Sequence, residues 1–470
     1  MRITRLPAAL MQIADQFSLA PFERFLQPLI EEALQEEGKH RSRKGTLLTP
    51  KLLIWLVLVL TLRRDLNYDQ AFNWMLSGFR WLQQCLPARS KLVSDGAISH
   101  ARVALGSGVF KRLWHKLRPS YESLPADFHG LRTVIFDGTT ATMPDTESNR
   151  KAFGKPNSGR GEAAFPQVRL MSLLAVAPRL LMQVAFAPCR GKGTGERTLV
   201  RSILDSLEVC GLLCLMDAGL YAFHLLWTIT QKQGHFLVKV PRNVKFKKFK
   251  RLTDGSCLAT LTGQIQTEEG KSQRRNLTVR LIRIEMKGFR PYWLMTSLQD
   301  EAISARQLAL HYHKRWDIEI SYDEIKTHQA ATLRGQSPTT LRSKRADLIT
   351  QEIYALAISY HLVRLLMAES AAEHGVDPTC LSFLESLQHI FDAAPILSAL
   401  PVEQRQERYA YLLELVAHCL IDRPRRPRWH PRVVKVKMSK FAKKTSQHRS
   451  QERDIQKELR VVEVELEEAA

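Results

Sequence analysis

The sequence predicts an α/β protein with a mixed sheet flanked by helices. Residues 1–125 show the apolar periodicity of helices. Residues 126–240 alternate strand-like and helical runs, and residues 241–300 are strand-like throughout. From these three observations we expect five regions: 1–125, a helical N-terminal domain; 126–240 together with 301–370, the sheet and its helices; 241–300, a β-rich insertion; 371–422, a helical region; and 423–470, a basic tail.

The N-terminal region contains two clear helical signals. FERFLQPLIEEALQEEG is amphipathic and stops at Gly38, and glycine commonly follows a helix. The longest apolar run, LLIWLVLVLTL, follows Thr49 and Pro50, which are typical of a helix N-cap and first residue. This run is about half of the ~20 residues that a membrane-spanning helix needs, so we expect a buried core helix.

Five apolar runs in the central region have the character of strands: LRTVIFDGTT, QVRLMSLLAVAP, RLLMQVAFAP, GLLCLMDAGLY and HFLVKVP. We expect the second and third to pair with each other. Asp137 and Asp217 each follow the apolar part of a run, so we expect each to end a strand. The alternative for Asp137 is a turn, because Asp-Gly is a common turn start.

The insertion and the segment after it have different character. Residues 241–300 contain four strand-like runs, and ARQLALHYHKRWDIEISYDEIKTH then predicts a helix that Gly335 and Pro338 would end. A long helix is predicted at about 345–367. NVKFKKFKRL interleaves aromatic residues with Lys245, Lys247, Lys248, Lys250 and Arg251. That pattern fits a DNA-contacting strand, and it fits equally a solvated basic edge strand that resists aggregation.

The charge of the chain predicts a polyanionic partner. The formal net charge is +22, which most often indicates nucleic acid. Seven cysteines without regular spacing, and an N-terminus without a sustained apolar run, favour the cytoplasm. CRGKGTGERT lacks the GxxxxGK[ST] pattern of a P-loop, so we expect no ATP site.

The stretch YHKRWDIEISYDEIKTH gathers functional groups on one side of a predicted helix. At ~100° per residue, Tyr312, Arg315, Glu319 and Lys326 share one narrow face, and Asp323 lies on it too. Taken alone, this pattern is better explained by a solvated face with an Arg315–Glu319 pair. Geometry by itself therefore leaves the choice between the two acids open.

Two strand-end aspartates change the interpretation of that face. Asp137, Asp217 and a helical acid would form a three-carboxylate cluster, and such clusters hold Mg²⁺ or Mn²⁺ through oxygen ligands. With a substrate phosphate, they hold two ions ~3.5–4 Å apart. Arg315 could then clamp a phosphate with two hydrogen bonds, Lys326 could act as a point charge, and Tyr312 could donate a hydrogen bond.

These residues resemble a known family. Asp137, Asp217 and Glu319 resemble the DDE triad of transposases that have a ribonuclease-H-like catalytic core. Tyr312-(2)-Arg315-(3)-Glu319-(6)-Lys326 matches the Y-(2)-R-(3)-E-(6)-K signature of the insertion-sequence family 4 transposases. The resemblance selects Glu319 as the third acid.

The resemblance extends over most of the chain. FDGTTATMPDT, LMDAGLY and QEIYALAISYHLVRLLM are similar to the family's first-acid block, second-acid block and C-terminal helix, and residues 20–115 resemble its N-terminal domain. The family also carries a β insertion between the second aspartate and the glutamate. This chain departs from many relatives at Ala218, where they have arginine.

The resemblance implies a cut-and-paste DNA transposase that cleaves the ends of its element and joins them to target DNA. It implies that the three acids bind two Mg²⁺ or Mn²⁺ ions, that the N-terminal domain binds the DNA ends, and that a homodimer holds the paired ends. We expect it to act in the bacterial cytoplasm, associated with the nucleoid. The alternatives are a ribonuclease-H-like nuclease without strand transfer and a non-catalytic DNA-binding protein; the intact triad argues against the latter.

Overall fold

The computed structural model describes most of the chain. The described residues are 8–41, 46–83, 93–158, 161–267, 269–328, 340–421, 428–429, 433–434, 442–451 and 453–463. Gly335 and Pro338, and about half of the predicted basic tail, therefore lie outside the described residues. Among the described helices, none combines the length and the apolar character that a bilayer crossing requires.

Helices precede the sheet in the chain, lie between its strands and follow its central part. They are α1 Ala8–Gln16, α2 Ala20–Glu36, α3 Pro50–Leu62, α4 Tyr68–Met75, α5 Ser77–Gln83, α6 Asp95–Leu105, α7 Gly108–Leu117, α8 Glu147–Phe153, α9 Glu196–Asp205, α10 Phe223–Gln231, α11 Ala305–Tyr312, α12 Asp317–Asp323, α13 Ala346–His374, α14 Phe383–Ala399 and α15 Val402–Ala417. The predicted N-terminal signals are confirmed. Thr49 caps α3 by accepting from the Leu52 amide at 3.3 Å, and Gly38 follows α2 with a φ of +64°.

Ten of the described strands form one continuous sheet, and the other short strands form separate two-stranded pairs. The ten strands are β1 Arg132–Thr142, β2 Gln167–Ala175, β3 Leu181–Pro188, β4 Leu212–Met216, β5 His235–Lys239, β6 Lys247–Arg251, β7 Cys257–Gln266, β8 Ser272–Glu285, β9 Tyr292–Thr296 and β10 Arg460–Val462. Their spatial order is β3-β2-β1-β4-β5-β9-β8-β7-β6, and β10 pairs with β8.

The first five strands have the arrangement expected of a ribonuclease-H-like core. β1 is antiparallel to β2 and parallel to β4, and β4 is parallel to β5. The predicted pairing of β2 with β3 is confirmed as an antiparallel ladder. Alternate residues of β1 face two separate apolar layers, since Val134 and Phe136 pack with α9 and α10 while Ile135 packs with α11. Helices thus cover both faces, as parallel strands require.

The β-rich segment predicted as an insertion forms four strands that extend the same sheet. β9 pairs antiparallel with β5, with Thr296 opposite Leu237. β8, β7 and β6 then follow as an antiparallel series. A second long-range connection comes from the C-terminal part of the chain: Arg306 of α11 donates to the carbonyl oxygen of Leu459 at 2.7 Å, and Ile455 is buried beside it.

Helix α13 is the centre of the helical half of the molecule. Its 29 residues are buried on most sides, and they pack with the N-terminal helices and with α14 and α15 in one apolar core. His361, for example, meets the ring of Trp114 edge-on at 5.8 Å between ring centroids. The helices of regions 1–125 and 371–422 therefore share a core, and the boundaries between these regions stay a prediction.

A leucine in α13 provides a test of this packing. Leu362 is 0% exposed, so Leu362→Ala leaves a cavity and is expected to lower the free energy of unfolding by about 2–5 kcal/mol. Leu384→Ala is the matched control, because Leu384 is 52% exposed and its loss should change stability by about 0.5 kcal/mol or less. Urea denaturation followed by tryptophan fluorescence measures both. Equal losses in the two variants would contradict a core centred on α13.

Candidate active site

The two aspartates of the predicted triad lie on neighbouring parallel strands. Asp217 directly follows β4, as predicted. Asp137 does not end its strand: β1 continues to Thr142 because it keeps pairing with β2 on its other side, with Asp137 opposite Ser172. The predictions of a strand end and of an Asp-Gly turn at Asp137 are therefore wrong. The parallel ladder to β4 covers Ile135, so Asp137 lies just beyond it, near the carboxyl end of β4.

Gly138 has a steric role instead of a turn role. A β-carbon added there would meet the Glu196 carboxyl carbon at 2.9 Å, so any larger residue would require the Glu196 side chain to move. Glu196 begins α9, on the face of the sheet opposite to the Asp137 side chain. The sequence analysis missed Glu196, and nothing in its local sequence could have indicated that it lies against the first-acid block.

The segment from Tyr312 to Lys326 is not one regular α-helix. After α11 the chain forms a 3₁₀ turn at His313–Trp316, then α12, and then a π-helical turn at Glu324–His328. The single helical face predicted at 100° per residue is therefore wrong in its geometry. π turns in particular occur often at functional sites. The contacts of the side chains, and not a helical wheel, decide what meets the aspartates.

Arg315 lies among the three acids. Its guanidinium is 3.9 Å from an Asp137 carboxylate oxygen and 3.5 Å from a Glu319 carboxylate oxygen. Burial by itself would lower the pKa of Arg315, but Tyr312, Asp137, Glu319 and Asp217 together raise it. The arginine therefore stays charged and offsets the repulsion among the carboxylates.

The other signature residues hold the segment against the strands. The Tyr312 hydroxyl donates to the carbonyl oxygen of Met216 at 3.0 Å, one residue before Asp217. The Lys326 ammonium contacts the Thr139 hydroxyl, two residues after Asp137. Tyr322, which the sequence analysis missed, donates to the carbonyl oxygen of Asp137 at 2.7 Å. The segment is thus attached to both strands that carry an aspartate.

Two other acids of the segment already have partners. Asp317 forms an ion pair with Arg179 at 3.1 Å, and buried Glu324 pairs with Arg364 of α13 and accepts from Tyr360 at 3.1 Å. Glu319 differs from them because it faces Arg315 and is partly open to solvent. An arginine within the apolar run of α13 was the sequence signal for a buried ion pair, since arginine is rarely fully buried without a partner.

The basic residues predicted to contact DNA lie apart from the acids. Lys245, Lys247, Lys248, Lys250 and Arg251 are all exposed, on β6 and immediately before it. β6 is at the edge of the sheet, several strands from β1. The structure therefore brings together Asp137, Asp217, Arg315 and Glu319, and it places this second group elsewhere.

Burial dominates the electrostatics of Asp137. It raises the pKa of this carboxyl to about 6, although Arg315 and the Gly138 amide oppose the shift; Asp217 and Glu196 add to it by repulsion. Burial also lowers the pKa of Lys326, against the attraction of Asp137. Ionising Asp137 therefore costs free energy, and a bound cation would reduce that cost.

The donor set suits a hard divalent cation, because it consists of carboxylate oxygens. Among the described residues, however, no group of three or more His, Cys, Asp and Glu side chains is close enough to hold one ion as the structure stands. Asp137 and Glu319 instead lie against the Arg315 guanidinium. The carboxylates have the chemistry and the charge that bind such an ion. In this structure the Arg315 guanidinium supplies the positive charge between Asp137 and Glu319.

Comparison with family models defines the class of protein. Residues 128–361 match the family model of the transposase DDE domain, and residues 17–115 match that of the insertion element 4 transposase N-terminal domain. The match to the first model spans strands β1 to β9, both aspartates and Glu319. The protein is therefore a DDE transposase, an enzyme of a class that generally uses divalent metal ions.

Similar proteins narrow the class to a family. The transposase InsG for insertion sequence element IS4 of Escherichia coli (strain K12) is 29% identical over 428 residues, which cover 89% of this chain and 92% of InsG. The protein InsZ of the same strain is 28% identical over 163 residues, 33% of this chain and 53% of InsZ. The chain belongs to the insertion-sequence 4 family of DDE transposases.

A solved structure also aligns with the chain. The cryo-EM structure of the piggyBac transposase synaptic complex with hairpin DNA gives a TM-score of 0.45 at 10% sequence identity. The alignment covers 88% of this chain and 87% of that one.

The buried ion pair between Glu324 and Arg364 is expected to matter for stability. Arg364→Met leaves a buried carboxylate without its partner and should lower the free energy of unfolding by about 3–5 kcal/mol, whereas the double variant Glu324→Met/Arg364→Met should recover most of that loss. Arg24→Ala is the control. It removes a more exposed pair with Glu369 and should cost about 1 kcal/mol or less. Urea denaturation decides. A double variant as unstable as Arg364→Met would contradict this account.

The raised pKa of Asp137 gives a pH dependence with a defined sign. The folded value of about 6 exceeds the ordinary value of 3.8, so proton binding favours the folded state. That contribution is complete below about pH 4 and is lost as the pH rises through 6. Asp137→Asn, which mimics the neutral acid, is therefore expected to raise Tm at pH 8 in chelator and to lose this advantage towards pH 5.

Differential scanning fluorimetry across this pH range measures the effect. Asp205→Asn, an exposed acid at the far end of α9, is the control and should show no such trend. A Tm advantage of Asp137→Asn that grew towards low pH would have the wrong sign for this account.

Proposed function

We propose that this transposase moves its element by a cut-and-paste reaction. It cleaves the DNA at the element's ends and joins the freed 3′-hydroxyl to target DNA. The observation that supports this best is the position of Arg315 between Asp137 and Glu319, beside Asp217, at the carboxyl end of β4. An arginine among three carboxylates supports a role for this site in binding a phosphate.

Asp137, Asp217 and Glu319 are proposed as the ligands of two Mg²⁺ or Mn²⁺ ions. When bound, such ions activate the attacking oxygen and stabilise the leaving oxygen of a phosphodiester. The protein contributes the position of the carboxylates. Two come from adjacent strands, and the third comes from a segment that Tyr312 and Tyr322 attach to those strands.

Arg315 and Lys326 are proposed to bind DNA phosphates, and so is Tyr312. Arg315 has the fork geometry that suits a phosphate, and Lys326 is a point charge beside β1. The Tyr312 hydroxyl donates to the Met216 carbonyl oxygen, so a phosphate contact there would replace or share that bond. Many relatives carry an arginine at the position of Ala218, directly after Asp217. The second-acid block of this chain therefore cannot bind a phosphate through that arginine.

The proposed partner is double-stranded DNA, both the terminal repeats of the element and the target. The net charge of +22 supports a polyanionic partner, and Lys245, Lys247, Lys248, Lys250 and Arg251 are proposed as further contacts at the sheet edge. We propose that a homodimer holds paired ends, that the N-terminal domain binds them, and that the reaction uses no ATP. It would take place on the nucleoid, in the bacterial cytoplasm.

The reaction can be tested with purified protein, the DNA that flanks the coding sequence, a labelled target plasmid and Mg²⁺ or Mn²⁺. The wild type is expected to give cleaved ends and joined products. Asp137→Asn, Asp217→Asn and Glu319→Gln are each expected to reduce both products to background, because each removes an ion ligand. Asp323→Asn, an exposed acid four residues after Glu319, is the control and should keep both products. Gel electrophoresis separates the products.

The possible outcomes separate the candidate functions. Cleaved ends without joined products would indicate a nuclease and would exclude the strand-transfer step. Cleavage that persists in the three triad variants would contradict the assigned acids.

A further inference from the structure

A groove with three cations lies in the part of the sheet formed by β6, β7 and β8. Its volume is about 340 Å³, and its lining residues are Lys247, Lys248, Thr260, Thr262, Arg274 and Asn276. The lining contains no carboxylate. The groove is therefore a concave, positively charged surface whose remaining groups are neutral and polar.

An irregularity in β6 turns two adjacent lysines into this groove. Lys247 is opposite Thr260 while Lys250 is opposite Leu258, so the register shifts between them, as at a β-bulge. Lys248 has a φ of +54°, which is uncommon for a residue other than glycine and carries strain. In a regular strand, neighbouring side chains point to opposite faces. Here both line one groove, so a costly backbone conformation concentrates positive charge.

The groove cations differ from the cations around them in having no protein partner. Arg251 pairs with Glu463, Lys271 with Glu269, and buried Arg280 with Asp254. Over the described ranges, no hydrogen bond or ion pair is formed by the side chains that line the groove with positive charge: Lys247, Lys248 and Arg274. Three unpaired like charges at one concave site repel one another, and an anion bound there would remove that cost.

The neutral groups of the groove suit the same ligand. Thr262 donates its hydroxyl proton to the Asn276 side-chain oxygen at 2.8 Å, which leaves the Asn276 amide protons available to donate. Threonine, asparagine, lysine and arginine side chains all make contacts to the phosphates of nucleic acid. No aromatic residue lines the groove to stack on an unpaired base.

The groove lies on the face of the sheet that carries the acids. Ile282 of β8 and Ile135 of β1 pack in the same apolar layer with α11. Counting by twos along each strand places Asn276 and Arg274 on the face of Ile282, and Asp137 on the face of Ile135. The two sites are five strands apart in the sheet order. At ~4.8 Å per strand this is on the order of 24 Å across the sheet. The strand registers place Asp137 and Asp217 level with Ile282 of β8, and Asn276 lies six residues before Ile282, ~20 Å along the strands. The two offsets together give a separation on the order of 30 Å, about nine base pairs of DNA.

We propose that this groove binds the phosphate backbone of duplex DNA, without reading its sequence, while the acids act on the same molecule. This inference rests on the proposed function and narrows it. From the five basic residues at the sheet edge it selects Lys247 and Lys248, and it adds Arg274 from β8. The absence of stacking groups favours duplex over single-stranded DNA.

The salt dependence of DNA binding tests the groove. The probe is a fluorescent 30-bp duplex of random sequence, and the affinity of the full chain is measured by anisotropy over a range of salt concentrations. Each lost phosphate contact lowers the slope of log K against log[salt] by about 0.9. The triple variant Lys247→Ala/Lys248→Ala/Arg274→Ala is therefore expected to lower the slope by about 2 to 3, and the charge-keeping Lys247→Arg/Lys248→Arg to leave it unchanged.

A matched triple variant controls for net charge. Lys271→Ala/Lys287→Ala/Arg290→Ala removes three exposed cations from the β7–β8 and β8–β9 connections, outside the groove, and should keep the wild-type slope. A groove variant with the wild-type slope would overturn the inference, and so would equal losses in the two triple variants. A loss confined to a 30-nucleotide single strand would also overturn it, in favour of single-stranded DNA.

The same measurement separates this inference from the proposed reaction. Glu319→Gln should bind the random duplex with the wild-type slope while giving no cleavage, because Glu319 is no part of the groove. If the groove variant keeps the wild-type slope and the triad variants lose cleavage, the groove assignment fails and the proposed reaction stands.

Discussion

Three carboxylates can be held close together in a protein only when something offsets their mutual repulsion. In this transposase the offset is the guanidinium of Arg315, which lies between Asp137 and Glu319, and the attraction of the surrounding acids outweighs the cost of burying it. The remaining architecture can be understood as the means of bringing these four side chains to one place. Two parallel strands bring the aspartates side by side, and α12 brings the glutamate.

The third acid is the difficult one, because it comes from an irregular helical segment. Two ion pairs hold that segment: Asp317 with Arg179, from the turn between β2 and β3, and Glu324 with Arg364, from the buried α13. A buried charge that loses its partner costs free energy. Each ion pair therefore disfavours other positions of the segment more strongly than apolar packing would. The long central helix thus supports the candidate active site as well as the core of the helical half.

Most of the fold could be predicted from sequence, because strands and caps have local signals. The apolar runs of β1 to β5 and the Thr49 cap depend on neighbouring residues alone. Asp217 was placed correctly for the same reason. Asp137 was misplaced because the length of β1 is set by its antiparallel partner β2, a contact distant in sequence. The helical wheel failed since a 3₁₀ and a π turn interrupt the segment.

The candidate site was predicted in its residues but not in its contacts. A signature with fixed spacing identified the acids, whereas Glu196 over Gly138, Tyr322 on the Asp137 carbonyl oxygen and the bulge at Lys248 depend on tertiary geometry. A single sequence carries no sign of such contacts. Arg364 differs, because a charged residue in an apolar helix indicates a buried partner, a signal that the sequence analysis did not use.

The pairing of β10 with β8 sets an order of events during synthesis. Glu285 of β8 is synthesised long before its partner Arg460. This end of β8 therefore has no β10 neighbour while the helical region between the two strands emerges from the ribosome. Arg306 of α11 depends on the same segment for its hydrogen bonds, because its side chain donates to the Leu459 and Gln456 carbonyl oxygens. Contacts between residues so far apart in the chain form slowly, since a long loop must close first. The helix leading into the Tyr312–Lys326 segment therefore gains its last support only after residues 453–463 have been translated.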